Sequence, residues 1–190
     1  MKRTLQVLVV VLVAAGFASQ ATAAECVGVS MPDTKTVNGQ KLVLNGLGIR
    51  EATVMQVDVY VAGLYLKEKS SDGFAIAGAD DTTQLVLEFV RDVEKKKVVD
   101  AYKESFKKSG KRSELDSEID KFMGWMGDVK EGDVQTYTWV PGKGMVVEFN
   151  GKKKGTIKSG SFAQIFFLIW LGDSPPNKGL KRGLLGGECG

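Results

Sequence analysis

The chain has 190 residues, 43% hydrophobic and 26% charged, with 26 Lys and Arg against 23 Asp and Glu. A net charge of +3 gives no electrostatic footprint for nucleic acid. The chain has no histidine and only two cysteines, which leaves no raw material for a zinc site or a histidine-activated nucleophile, and no cofactor or metal is expected. Lys2 and Arg3 precede an apolar run from Val7 to Phe17, and Ala21-Thr22-Ala23 offers a small-x-small cleavage site. These features predict a signal peptide over 1–23, a single domain over 24–190, and a periplasmic or secreted protein. The apolar run is short for a bilayer span, and no later segment is long and apolar enough for one. Glu25 before Cys26 argues against a lipoprotein. Loss of Lys2 and Arg3 leaves 24 basic against 23 acidic residues, a net charge of +1. In an exported chain Cys26 and Cys189 predict one disulfide joining the ends; the alternative is two unpaired thiols.

Residues 24–34 read as an irregular lead-in. Asn38-Gly39 is a hairpin signal, followed by a strand over 41–45. Gly46 and Gly48 are expected to interrupt it. Over 54–66, Met55, Val57, Val59 and Val61 fall on one face and Val54, Gln56, Asp58, Tyr60 and Ala62 on the other. The first set predicts core; the second predicts a cleft or a partly wet surface. "SSDGFAIAGADD" reads as a loop or short helix and "TTQLVLEFVRDV" as a strand.

From Glu94 the period changes. Val98, Tyr102 and Phe106 form a helix stripe, and Lys95, Lys96, Lys97, Lys103, Lys107 and Lys108 read as its solvated face rather than an anion site. Leu115, Ile119, Phe122, Met123 and Met126 mark a second helix. Turn signals at Pro141–Gly144 and Asn150-Gly151 divide the next stretch into a three-segment meander. Phe162 to Leu171 is apolar nearly all round and predicts a buried helix, with Ser161 a candidate N-cap and Gly172 and Pro175-Pro176 closing it. A short helix or tail ends the chain. Strands in groups, without strict βαβ alternation, predict an α+β fold with a mainly antiparallel sheet.

Gly46-x-Gly48 precedes a strand and lacks a third glycine, so it is not a dinucleotide fingerprint. Arg50 admits two readings. It could pair with Glu51 at the surface, or clamp a carboxylate or developing enolate with its fixed donors. Tyr60 is the better second donor, because Tyr65 continues the apolar face. A straight strand would hold Arg50 and Tyr60 about 33 Å apart. They meet only if the chain folds back between them.

"GLGIREA…VDVYVAGLYL", "FVRDVEKKKVVDAY" and "FFLIWLGDSPPNKGLKRGLLG" resemble, in order, three regions of the chalcone isomerase-like superfamily, nearest its bacterial exported members and its fatty-acid-binding branch. The resemblance implies an open-faced β-sandwich, a large antiparallel sheet covered by helices, with a cleft between the two layers. In the family's isomerases an arginine at the place of Arg50 steadies the ketone oxygen and the phenoxide nucleophile. Those enzymes also carry a threonine on the next strand, a tyrosine and an asparagine around the first helix, and a threonine in the late helix. The matching positions here, at or beside Tyr60 and near Glu94, Ala101 and Ile169, do not keep that chemistry. The fatty-acid-binding branch uses its arginine with a strand tyrosine to hold a carboxylate, which implies Arg50 and Tyr60 here. The expectation is an exported, non-catalytic binder of a small apolar anion such as a fatty acid, with helix 161–171 lining the cleft and no protein partner identified. The alternatives are an isomerase or lyase of an enone-like substrate, with Arg50 as electrostatic catalyst, and an interaction module whose cleft is filled by its own side chains.

Overall fold

The computed structural model describes residues 23–52, 57–110 and 113–190. The predicted signal segment up to residue 22, and Val54, Met55 and Gln56 of the predicted strand, lie outside these residues. Asn38 and Gly39 both take positive φ (49° and 77°), as a two-residue hairpin with the strand twist requires. They join β3 (Thr34–Val37) to β4 (Gln40–Ala52). β5 (Val57–Leu66), β6 (Thr83–Phe89), β7 (Val134–Val140), β8 (Gly144–Phe149) and β9 (Lys152–Ile157) follow. All seven strands pair antiparallel in chain order, so the sheet is one continuous meander.

The lead-in is not irregular. β1 (Ala23–Cys26) and β2 (Val29–Pro32) form a small antiparallel hairpin. Its Cys26, Val29 and Met31 pack with Leu42, Leu44, Leu47, Ile49, Val61, Tyr65 and Val86 on one face of the sheet. The other face is covered by helices: α1 (Gly73–Gly78), α2 (Lys95–Lys108), α3 (Asp116–Gly124), α4 (Gly160–Leu171) and α5 (Lys178–Leu184). The predicted stripe Val98, Tyr102 and Phe106 is the buried side of α2, and its lysines are exposed. α4 buries eight of its twelve residues, as its all-round apolarity requires. Its cap is Ser159, which accepts from the Phe162 N–H, rather than Ser161.

Gly46 and Gly48 do not interrupt β4, which runs through both. They admit α5. A Cβ on Gly46 would lie 2.0 Å from the Gly183 carbonyl oxygen, and one on Gly48 would lie 2.4 Å from that of Leu180. Gly183 is under the same constraint, since its own Cβ would meet the Leu47 carbonyl at 2.1 Å. Helix and strand backbones are therefore in direct contact. Asn45, 3% exposed, secures the same corner. Its amide donates to the Ser70 and Leu184 carbonyls, and its oxygen accepts from the Ser70 N–H. The Cys26–Cys189 disulfide then ties β1 to the C-terminal tail, with Cα atoms 6.0 Å apart.

Candidate ligand-binding site

The chain does fold back between Arg50 and Tyr60. β4 and β5 are antiparallel neighbours, and the two residues lie directly opposite each other. The next pair is Glu51 with Asp58, so Val59 is an extra residue on β5 and the register shifts there. Such a bulge turns two successive side chains to one side. Val59 and Tyr60 accordingly both pack against the helix-side core, while Val61 lies in the opposite cluster. Strict alternation over 54–66 therefore fails at Val59. The helix-facing set is Val59, Tyr60, Ala62, Leu64 and Leu66, and from Val61 to Leu66 both faces are buried. Tyr65 belongs to the other face, where its hydroxyl donates to the Pro32 carbonyl at 2.9 Å.

The Tyr60 hydroxyl accepts from the Trp170 indole N–H at 2.9 Å, and its ring meets Phe89 edge-on at 5.5 Å between centroids. Burial pushes the Tyr60 phenol up to about 12, opposed by the Trp170 hydrogen bond and the Arg50 charge. At neutral pH it is an uncharged donor. Arg50 is partly buried. Adjacent residues of a strand point to opposite faces, so Glu51 is not its companion. Among the described residues its charge is felt by Tyr60 and by Glu104 of α2, whose carboxyl is held low first by Lys108 and further by Arg50. A guanidinium and a neutral phenol side by side, at the rim of an apolar layer, can hold a carboxylate or stabilise a developing oxyanion.

Of the other positions considered from the sequence, Glu94 is the exposed N-cap residue of α2, Ala101 is exposed, and Ile169 is buried apolar. Beside Ala101, Tyr102 points inward. It shares a 2.6 Å hydrogen bond with Tyr137, whose hydroxyl donates to Gln135 Oε1 at 2.6 Å. Burial raises both phenols well above their ordinary value. The space between sheet and α4 is filled by rings: Tyr102, Phe106, Phe122, Tyr137, Phe166 and Trp170 contact one another at 4.7–6.5 Å between centroids. Two open cavities lie elsewhere. One of about 490 Å³ adjoins Cys189, Asn45 and Lys69, and one of about 270 Å³ lies between α1 and the start of α4; neither is lined by Arg50 or Tyr60. Sequence reasoning missed Trp170, Tyr137 and Gln135 as partners of the site. Trp170 was legible only as part of an apolar helix, and the alternation Gln135, Tyr137 on β7 was the one available signal for the other two.

A curled seven-stranded antiparallel sheet with helices on one face, and an arginine opposite a tyrosine on its second and third strands, defines an α+β protein of chalcone isomerase-like fold. The sequence model described as chalcone isomerase-like matches residues 23–186, and the chain belongs to that family. Among solved structures it is similar to a fatty-acid binding protein of Arabidopsis thaliana, with a TM-score of 0.71 and 18% identity. That match covers 87% of this chain and 96% of the plant protein. No curated protein sequence matches this chain.

Proposed function

We propose that the protein is an exported, non-catalytic carrier or sensor of a small apolar carboxylate such as a fatty acid, with Arg50 and Tyr60 holding the head group. The observation that carries this reading is the cross-strand pairing of Arg50 with Tyr60 on the helix-facing side, beside Trp170. The fatty-acid binding named for the plant protein of the same fold supports it. The apolar chain would run inward along Phe89 and Trp170, displacing rings of the aromatic layer. Titration of a fluorescent fatty acid tests the site. Arg50→Ala is expected to weaken binding by about 2–5 kcal/mol, because a carboxylate left desolvated beside no cation is costly. Arg50→Lys weakens it less, since a lysine lacks the planar fork. Equal affinities for wild type and Arg50→Ala would remove Arg50 from the site.

Export is supported by the basic start, the apolar run and the small-residue site before Ala24, together with the disulfide. The intact mass of protein recovered from the periplasm should begin at Ala24 or Glu25; a full-length mass there refutes cleavage. A second reading, an interaction module that holds no small molecule, is favoured by the ring-filled interior. It predicts no fatty-acid binding by wild type at all. Turnover of a hydroxychalcone by the pure protein would instead establish the isomerase alternative.

A further inference from the structure

One polar group in the helix-side core is left without a partner. Gln135 is 1% exposed, and its Nε2 is buried with no hydrogen-bond acceptor among the described residues. Its other end accepts from Tyr137, which is in turn bonded to Tyr102. Turning the amide over does not help, because the oxygen is then the stranded end. A buried amide with one end unmet carries the full desolvation penalty of that end. Apolar residues in the same place would cost nothing of that kind, so the group calls for an occupant.

The strand register fixes where this group lies relative to the proposed head-group site. Tyr60 faces Phe89, Ala62 faces Leu87, and Leu87 faces Gln135. Gln135 is therefore two residues along the strands and two strands across from Tyr60. That is about 7 Å one way and about 10 Å the other, or ~12 Å between Cα positions. Gln135 and Tyr137 share the helix-facing side with Tyr60, and the row that ends at Gln135 runs through Ala62 and Leu87, Ala62 being the smallest side chain in it. An acyl chain entering from Arg50 and crossing over Ala62 and Leu87 toward β7 would pass Gln135 partway along its length.

Resting on the fatty-acid reading of Arg50 and Tyr60, we propose that Gln135, with the Tyr137–Tyr102 pair behind it, is a second polar subsite, and that the ligand class is an oxygenated apolar acid, a hydroxy- or oxo-acyl carboxylate, rather than a saturated one. Arg50 and Tyr60 take the carboxylate. Gln135 meets the second oxygen, donating to a carbonyl or hydroxyl oxygen through Nε2. The tyrosine chain locks the amide by occupying Oε1, so only a group that accepts a hydrogen bond completes the set.

The test compares decanoic acid with its mid-chain and terminal hydroxy derivatives on wild type, Gln135→Met and Arg50→Ala. Wild type should bind one hydroxy acid about five- to tenfold tighter than decanoic acid, the worth of one buried hydrogen bond. Gln135→Met should abolish that preference, while Arg50→Ala weakens every acid alike. The wild-type preference is readable even if Gln135→Met does not fold. Decanoic acid binding that depends on Arg50, with no hydroxy acid preferred, overturns the second subsite and leaves the head-group reading intact. A preference that survives in Gln135→Met also overturns it. If wild type binds none of these acids, both readings fall.

Discussion

Tyr60 is held by Trp170, and that single hydrogen bond connects the candidate site to stability. Trp170 is 2% exposed, so its N–H has no water to turn to. Tyr60→Phe should therefore cost about 1–3 kcal/mol of stability through the stranded indole, besides about 0.5–1.5 kcal/mol of ligand binding. A urea titration of the variant equal to that of wild type would show that the Trp170 N–H finds another acceptor. The chain's four tyrosines, Tyr60, Tyr65, Tyr102 and Tyr137, all have phenols raised above their ordinary value, chiefly by burial. The sign follows from linkage. A phenol that titrates near 10 unfolded and at about 12 folded, as Tyr60 does, stabilises the fold below pH 10, and that stabilisation is lost as pH climbs toward 12. Phenolate absorbance should accordingly stay low past pH 10 and then rise together with loss of near-ultraviolet circular dichroism. A gradual phenolate signal centred at pH 10, with the fold intact, would contradict the burial of these hydroxyls.

At the level of elements, the contact of α5 with β4 is the least forgiving. It rests on three glycines whose missing side chains let two backbones touch. Gly48→Ala would drive a methyl to 2.4 Å from the Leu180 carbonyl, with no flexible side chain to yield. The expected loss is at or above the upper end of the ~1–3 kcal/mol of core overpacking. Gly151→Ala, placed in a turn with open space around the Cβ but with φ of 71°, should cost less. Denaturant midpoints of the two variants give the comparison, and equal midpoints would mean that α5 can lift away from β4 freely. The bulge at Val59 is the other decisive local feature. The unbroken register from Leu64 to Tyr60 sets Tyr60 opposite Arg50 on the helix side, and the extra residue turns Val59 to that side as well.

For the whole molecule, the disulfide closes nearly the entire chain, with a sequence separation of 163 between Cys26 and Cys189. In the chain-entropy account a loop of that length contributes roughly 4–5 kcal/mol. For a domain of this size each kcal/mol moves Tm by about 2–4 °C, so reduction should lower Tm by roughly 10–20 °C. Cys26 is 4% exposed and sits in the cluster that covers the outer sheet face, so reduction also loosens the β1–β2 hairpin. A melting temperature unchanged by reductant, with free thiols confirmed by alkylation, would show that the hairpin and tail hold without the bond. Among the described residues no helix is long and apolar enough to cross a membrane.

The sequence by itself determined the helices and strands whose signals are local. The Asn38-Gly39 turn, the Val98–Tyr102–Phe106 stripe, the meander turns and the apolar α4 each depend on residues within a few positions of one another, and each stands where its period or turn chemistry put it. The quoted motifs also carried the family and its sheet-and-helix architecture. Tertiary structure alone decided the role of Gly46 and Gly48, because the backbone that fills their missing side chains is that of residues 180–183, far along the chain. It decided which face Val59 and Tyr60 share, because a bulge is a property of two paired strands and period-2 reasoning sees only one. It brought Arg50 within reach of Tyr60 by strand reversal, supplied Trp170 from the last long helix, and enclosed Gln135 behind two tyrosines from different elements. A candidate residue such as Arg50 can be named from a strand and a resemblance, but its partners are set by pairing across the sheet and packing against it, which one-dimensional spacing does not encode.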